Sequence, residues 1–442
     1  MESQQHKLII NIKKFFLSFN NNNYLPYKNS IFHLASTSEG IGRYLLNVLS
    51  KKKDQNFFKN FSIIFNIFND VVYSLNYVNH KLYYSNTNFY YDKIVVTWAF
   101  ENDFDKNGSF DDRYFNVNSK KLKKTLWFVI YLSKNIPKNV NNNIVLFKPI
   151  TKKSFNVFNI ISNSTKHISF LPKSFKYYLA TISNVNYFAE IFLKQINPFL
   201  NSKVRFILMP FEGQPFQNRL IHFVKKKFLS IKTIGYIHAP PIGMPSQYIY
   251  KNSSPHKIIL NGKDQLYCFT KILGWKKKQI KLLPSYRFIK YNFKFKNTIF
   301  LPLSVRNIQK ILNSINFLNS KNYIDIKKFT IKKHPAALDS KKNIYFEKKM
   351  KILIKNSKKK NYQKKNCSIF IGSSGAIIEA LERGANVIQI SDFPLLDMYS
   401  SKLWPSIIVK KIGNNTFSYE LKRRGNLIKL GNKKKNLNKI FN

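Results

Sequence analysis

Four short segments carry residues that could bind or activate a substrate. Glu212 stands in Pro210-Phe211-Glu212-Gly213-Gln214-Pro215 and is scarce in kind, since only 21 of 442 residues are Asp or Glu. The glycine after it lets the backbone turn sharply, and a carboxylate at such a turn suits a general base taking a proton from an attacking hydroxyl. Helix capping, or pairing with one of the many lysines, is the alternative use of the same carboxylate. Gly235-Tyr236-Ile237-His238-Ala239-Pro240-Pro241 sets His238 at a second strand end, as a further candidate for acid-base work or substrate orientation.

The third segment is residues 367–394, where an apolar run at 368–371 meets Gly372-Ser373-Ser374-Gly375, then a helical pattern bearing Glu379 and Glu382, then a strand at 387–390. Amides at a helix start lack intrahelical acceptors, and the helix dipole adds partial positive charge there, so this loop suits a phosphate. Gly-Ser clusters also serve as plain turns and caps. Glu379, one turn into the helix, is placed to accept the hydroxyls of a ribose. In the fourth segment, Lys333-His334-Pro335, the imidazole would meet a phosphate oxygen and Pro335 would fix the turn that aims it. Arg287, just beyond a predicted strand at 281–283, is a candidate to neutralise a leaving phosphate.

These segments need a scaffold that gathers strand ends. Strand-like stretches are read at 31–35, 61–68, 93–99, 204–209, 233–238 and 257–260, with helices from 38 to 50 and at 120–132. A second series runs from a strand at 299–303 through a helix to about 318, a strand at 328–332 and the unit at 367–394. Alternation of this kind predicts an α/β protein with parallel sheets. The expected architecture is two Rossmann-like domains facing each other across a cleft, residues 1–290 on the acceptor side and 291–442 on the nucleotide side, joined by a basic linker at 288–296. Ligands of such sheets bind beyond the carboxyl ends of the strands.

With 75 basic and 21 acidic side chains the chain carries a formal charge of +54. The excess admits a polyanionic partner, but Lys is abundant here together with Asn, Ile, Phe and Tyr, and the lysines are scattered. Soft attraction to acidic lipid headgroups is the better-supported consequence, and no nucleic-acid partner is expected. Cys268 and Cys367 are far apart, so neither a disulfide framework nor a zinc site is predicted. Among eight histidines none forms a metal pair, and no bound metal or resident cofactor is expected. The amino terminus lacks the pattern of a signal peptide and no apolar run is long enough to span a bilayer. A cytoplasmic protein, peripheral at the inner face of the membrane, is the expectation.

Phe211-Glu212-Gly213, His334-Pro335 and Ser373-Ser374, in that order, resemble the acidic, HP and paired-serine motifs of bacterial sialyltransferases and polysialyltransferases of GT-B fold. The wider set, with Asn261-Gly262 and Leu273-Gly274-Trp275, is similar to GT-B proteins of surface carbohydrate biosynthesis; the likeness covers roughly residues 204–394. The resemblance implies Glu212 as base, His334 as a contact to donor phosphate, and Ser373, Ser374 and Gly375 as phosphate cradle. Where those sialyltransferases carry a first acid this chain has Phe211, which leaves a CDP-linked donor open. The implied activity is metal-independent transfer of a sugar, with inversion, from a CMP- or other NDP-linked donor to a surface glycan or lipid-linked acceptor; the nucleotide-sugar is a substrate rather than a cofactor. A nucleotide-sugar epimerase, a CDP-glycerol-type polymer transferase and a nucleic-acid-binding protein are the alternatives.

Overall fold

The computed structural model describes residues 1–18, 79–84, 90–150, 184–289, 297–302, 307–334, 341–357, 367–391, 393–432 and 437–441. The strands expected at 31–35 and 61–68, the helix from 38 to 50, Pro335 and most of the linker at 288–296 lie outside them.

The chain is a mixed α/β protein built on two sheets dominated by parallel strands. After helix α1 (Glu2–Ser18) come β1 (Asn79–Tyr83), β2 (Lys93–Ala99), the short β3 (Asp111–Asp112) and β4 (Val117–Asn118), β5 (Thr125–Tyr131), β6 (Ile144–Ile150), α2 (Asn184–Ile196), β7 (Phe206–Pro210), α3 (Pro215–Lys227), β8 (Lys232–Tyr236), β9 (Lys257–Leu260), α4 (Lys263–Tyr267) and β10 (Ile280–Leu282). Eight of these strands form one sheet in the order β1-β6-β5-β2-β7-β8-β9-β10. Only the edge strand β1 is antiparallel to its neighbour.

The second sheet is laid down by β11 (Thr298–Phe300), α5 (Ile308–Ser320), β12 (Thr330–Lys332), α6 (Lys341–Asn356), β13 (Cys367–Ile371), α7 (Ala376–Glu382), β14 (Asn386–Ile390), α8 (Pro394–Asp397), β15 (Ile407–Gly413) and β16 (Thr416–Leu421), before α9 (Asn438–Phe441) ends the chain. Its order is β12-β11-β13-β14-β16-β15, parallel through the first four and closed by an antiparallel hairpin.

One expected element is overturned: 120–132 is not a helix but a single turn at Ser119–Lys121 followed by β5. The run Thr125-Leu126-Trp127-Phe128-Val129-Ile130-Tyr131 is buried along its whole length. Its side chains alternate between two cores. Leu126, Phe128 and Ile130 enter one, and Trp127, Val129 and Tyr131 the other. A strand covered on both faces shows no polar alternation, and its aromatic and β-branched content then decides for strand.

The larger of these cores continues past the first sheet. It takes in Leu8, Ile9 and Ile12 of α1 and Phe216, Leu220 and Ile221 of α3, then Phe370 of β13, Ile377, Ile378 and Leu381 of α7, and Val387 of β14. The second sheet is thus fastened to the first by shared apolar burial. A backbone strap adds to it. Glu382 accepts from the amides of Leu427 at 2.8 Å and Ile428 at 3.0 Å, while Lys429 donates to the Asn261 carbonyl at 2.6 Å. Beyond the strap, Leu437 and Ile440 pack into the core on the far face of the first sheet.

Candidate functional site

Strand order determines where a crevice opens. From β2 the first sheet grows one way through β5 and β6 and the other way through β7, β8, β9 and β10, so the order reverses between β2 and β7. Ligands of open α/β sheets collect beyond the carboxyl ends at such a reversal. Glu212 follows the carboxyl end of β7 and His238 follows that of β8.

The turn that carries Glu212 is held from within. Gln217, fully buried in α3, donates to the Pro210 carbonyl at 2.6 Å and accepts from the amides of Glu212 at 3.0 Å and Gln214 at 3.1 Å. Asn218 donates to the Gly213 carbonyl at 2.8 Å. Gly213 has φ of +70°, and a Cβ there would lie 2.6 Å from the Gln247 carbonyl oxygen, so glycine is required on two counts. With the cap of α3 built by glutamines, the Glu212 carboxylate is not consumed as a helix cap.

It faces neighbouring side chains instead. Gln214 donates to Glu212 Oε2 at 2.6 Å, and His238 Nε2 lies 3.2 Å from Oε1. The Glu212 side chain is 35% exposed while that of His238 is 2% exposed, so the carboxylate faces outward and the imidazole stands behind it. Burial lowers the His238 pKa, and the adjacent carboxylate opposes that effect without reversing it. A neutral His238 can donate from Nε2 to the Glu212 carboxylate. Its Nδ1 is buried with no hydrogen-bond partner among the described residues.

Tyr114 closes the site on the other side. Its ring stands edge-on to His238 at 4.6 Å, packs 5.4 Å from Trp98 near the end of β2, and lies 5.8 Å under the guanidinium of Arg287. The turn bearing Tyr114 is pinned by buried Asp112, which accepts from the Tyr114 amide at 2.9 Å, the Phe115 amide at 2.6 Å and the Thr97 hydroxyl. Desolvation pushes the Asp112 carboxyl up to about 6. Arg287 therefore joins Glu212 and His238 in one neighbourhood.

The serine loop arrives at the same neighbourhood from the second sheet, whose strand order reverses between β11 and β13. Gly372, with φ of +76°, turns the chain out of β13 beside Pro302. Ser374 accepts from the Ala376 amide at 3.2 Å through Oγ, while Gly375 holds the N-cap position of α7. Among the described residues no acceptor is bonded to the amides of Ser373, Ser374 or Gly375. A Cβ on Gly375 would fall 2.7 Å from the Pro240 carbonyl oxygen. Tyr399, fully buried, directs its hydroxyl at the carbonyls of Ser374 and Pro241, each at 3.1 Å. Its amide bonds Tyr419 Oη at 3.1 Å, Tyr419 donates to Gln389 at 2.6 Å, and Gln389 donates to the Gly372 carbonyl at 2.7 Å. Pro240 is two residues beyond His238, a span of at most about 7 Å. The loop after His238 thus abuts the serine loop directly.

The remaining candidates divide. Glu379 lies on α7, with Oε1 engaged by Arg383 at 2.9 Å. His334 is exposed, two residues past β12, and desolvation by its neighbours lowers its pKa. In sheet register Lys332 pairs with Phe300 and Phe300 with Phe370, so the ends of β12 and β13 that lead to His334 and Gly372 are level in the second sheet, two strand spacings or roughly 10 Å apart. Pro335 lies outside the described residues. Tyr114, Gln214, Gln217 and Tyr399 were not anticipated from sequence. Gln214 and Gln217 stand within five residues of Glu212, at the spacing of a capped helix start, and that signal could have found them. Tyr114 and Tyr399 are brought in by tertiary folding alone. Among the described residues no group of His, Cys, Asp or Glu has the arrangement of a metal site, and no helix is long and apolar enough to cross a membrane.

No family model matches the chain, and no curated protein matches it. A solved structure, the Candida albicans trehalose-6-phosphate phosphatase N-terminal domain, aligns with a TM-score of 0.34 and 11% identity over 68% of this chain and 82% of that one. A likeness of that degree carries no argument about fold or activity.

Proposed function

We propose that the chain is a GT-B glycosyltransferase: two Rossmann-like units, residues 1–290 and 291–442, that transfer a sugar from a CMP- or other NDP-linked donor to a surface glycan or lipid-linked acceptor. The observation that carries the reading is an outward-facing carboxylate backed by a buried histidine, with Pro240, two residues beyond that histidine, packed directly against Gly375 of the serine-glycine loop.

In this reading the acceptor hydroxyl attacks the anomeric carbon of the donor as Glu212 removes its proton; the sugar–phosphate bond breaks and the nucleotide departs with the bonding pair, inverting the centre. His238 keeps the carboxylate oriented and ionised by donating from Nε2. The amides of Ser373, Ser374 and Gly375 receive the phosphate as its charge develops. His334 reaches the donor from the end of β12, two strands away, and Glu379 meets the ribose through Oε2, since Oε1 is held by Arg383. Arg287, poised over Tyr114, adds positive charge on the side of the leaving group. No step calls for a metal.

Product analysis tests the reading. Incubated with nucleotide-sugars and a lipid-linked acceptor, the protein is expected to release free nucleotide only when acceptor is present. Acceptor-independent interconversion of the sugar would select an epimerase, and release of CMP from CDP-glycerol would select a polymer transferase.

A further inference from the structure

Helix α6 turns one face inward and leaves the other without a partner among the described residues. Phe346 and Met350 are buried and Leu353 and Ile354 pack beside them in the core of the second sheet. On the opposite side Ile344, Tyr345 and Ile352 are 51%, 52% and 44% exposed. At about 100° per residue these three fall within roughly 100° of arc. Lys341, Lys348 and Lys355 lie among them, with Lys342, Lys349 and Lys351 flanking, and all six lysines are exposed. The helix's one acid, Glu347, is neutralised by Lys333 at 2.9 Å and Lys351 at 2.9 Å, so the exposed face carries basic charge alone.

Single exposed apolar residues are ordinary. Three on one face, interleaved with lysines whose long stems reach past them, form the pattern of a helix lying in a bilayer interface: the apolar groups enter the acyl boundary and the ammonium groups stay at the headgroups. We propose that this face of α6 docks the protein onto membranes rich in anionic phospholipid. Charge complementarity selects that occupant, and the inference stands whether or not the transferase reading holds.

The test is flotation of the full chain with vesicles of phosphatidylcholine alone or mixed with phosphatidylglycerol. Binding is expected only to the anionic vesicles. Lys348→Gln with Lys349→Gln should weaken it about thirty-fold, at about 1 kcal/mol per lysine and 1.4 kcal/mol per decade. Ile344→Ser with Ile352→Ser leaves the net charge untouched and is expected to cost about tenfold through lost apolar burial. Tyr345→Trp should shift its emission to the blue on binding. Both isoleucines are exposed, so the double variant is expected to fold. Unchanged flotation of the isoleucine variant overturns the proposal. So does an equal loss by the lysine variant on vesicles and on RNA with no effect of the isoleucine exchange, which would mark a polyanion patch instead.

Discussion

Gly375 and Pro240 touch so closely that a single added methyl group would lie 2.7 Å from the proline carbonyl oxygen. Gly375 has φ of −65°, an ordinary value for any residue, so its lack of a side chain serves the contact and not the backbone. Gly375→Ala must therefore push the serine loop away from the loop after His238. A loss of about 1–3 kcal/mol in urea unfolding is expected, with a larger proportional loss of nucleotide affinity than of stability. Wild-type stability in this variant would show that the two loops are not in contact.

Tyr399→Phe removes the hydroxyl shared by the Ser374 and Pro241 carbonyls and leaves the ring in place. The Ser374 carbonyl keeps the Ile377 amide at 3.3 Å, but the buried Pro241 carbonyl loses its donor, which should cost about 1–3 kcal/mol. Nucleotide binding is expected to weaken while acceptor affinity is unchanged, a split that titration calorimetry with each ligand resolves.

For Glu212→Gln the expected result is a fall in kcat of about 10²–10⁴-fold with donor affinity nearly unaltered. Burial holds the His238 pKa below its ordinary value of 6.5. The imidazole therefore stays neutral as pH falls through 6.5, and kcat should show no decline centred there. An acid limb at or above that pH which His238→Ala removes would contradict the proposed pairing.

Asp112 supplies a stability signature. Its carboxyl is raised to about 6 from an ordinary 3.8 by burial, so the folded state binds the proton more tightly than the unfolded state does. The stability it contributes is complete below pH 3.8 and is lost as pH rises to about 6, by about 3 kcal/mol. Asp112→Asn keeps an acceptor for the Tyr114 and Phe115 amides and offers a donor to Thr97, so its unfolding free energy should vary less across that interval. Parallel pH profiles for the two proteins would count against the assignment.

Much of the site's chemistry was legible because it lies at strand ends whose flanking runs are short and β-rich. β2 and β9 fall where the pattern put them, and so does the unit of β13, α7 and β14 within one residue at its strand starts. β5 was misread because a strand buried on both faces has no period to display. The pairing of Glu379 with Arg383 follows from i,i+4 spacing on a helix and could have been read in advance. Tyr114 and Tyr399 could not. The first reaches His238 from a hairpin more than a hundred residues upstream, and the second reaches Ser374 across an intervening strand and two helices.

The serine loop is expected to hold a nucleotide beside Glu212, and thermal unfolding with CMP, CDP, UDP and GDP tests that most directly. A ligand that binds only the folded state adds about 2.7 kcal/mol at a hundredfold excess over its Kd. One nucleotide is expected to raise the Tm of the wild-type protein and of Glu212→Gln alike, and to lose its effect in Gly375→Ala. Four flat titrations, or a shift that survives Gly375→Ala unchanged, would contradict it.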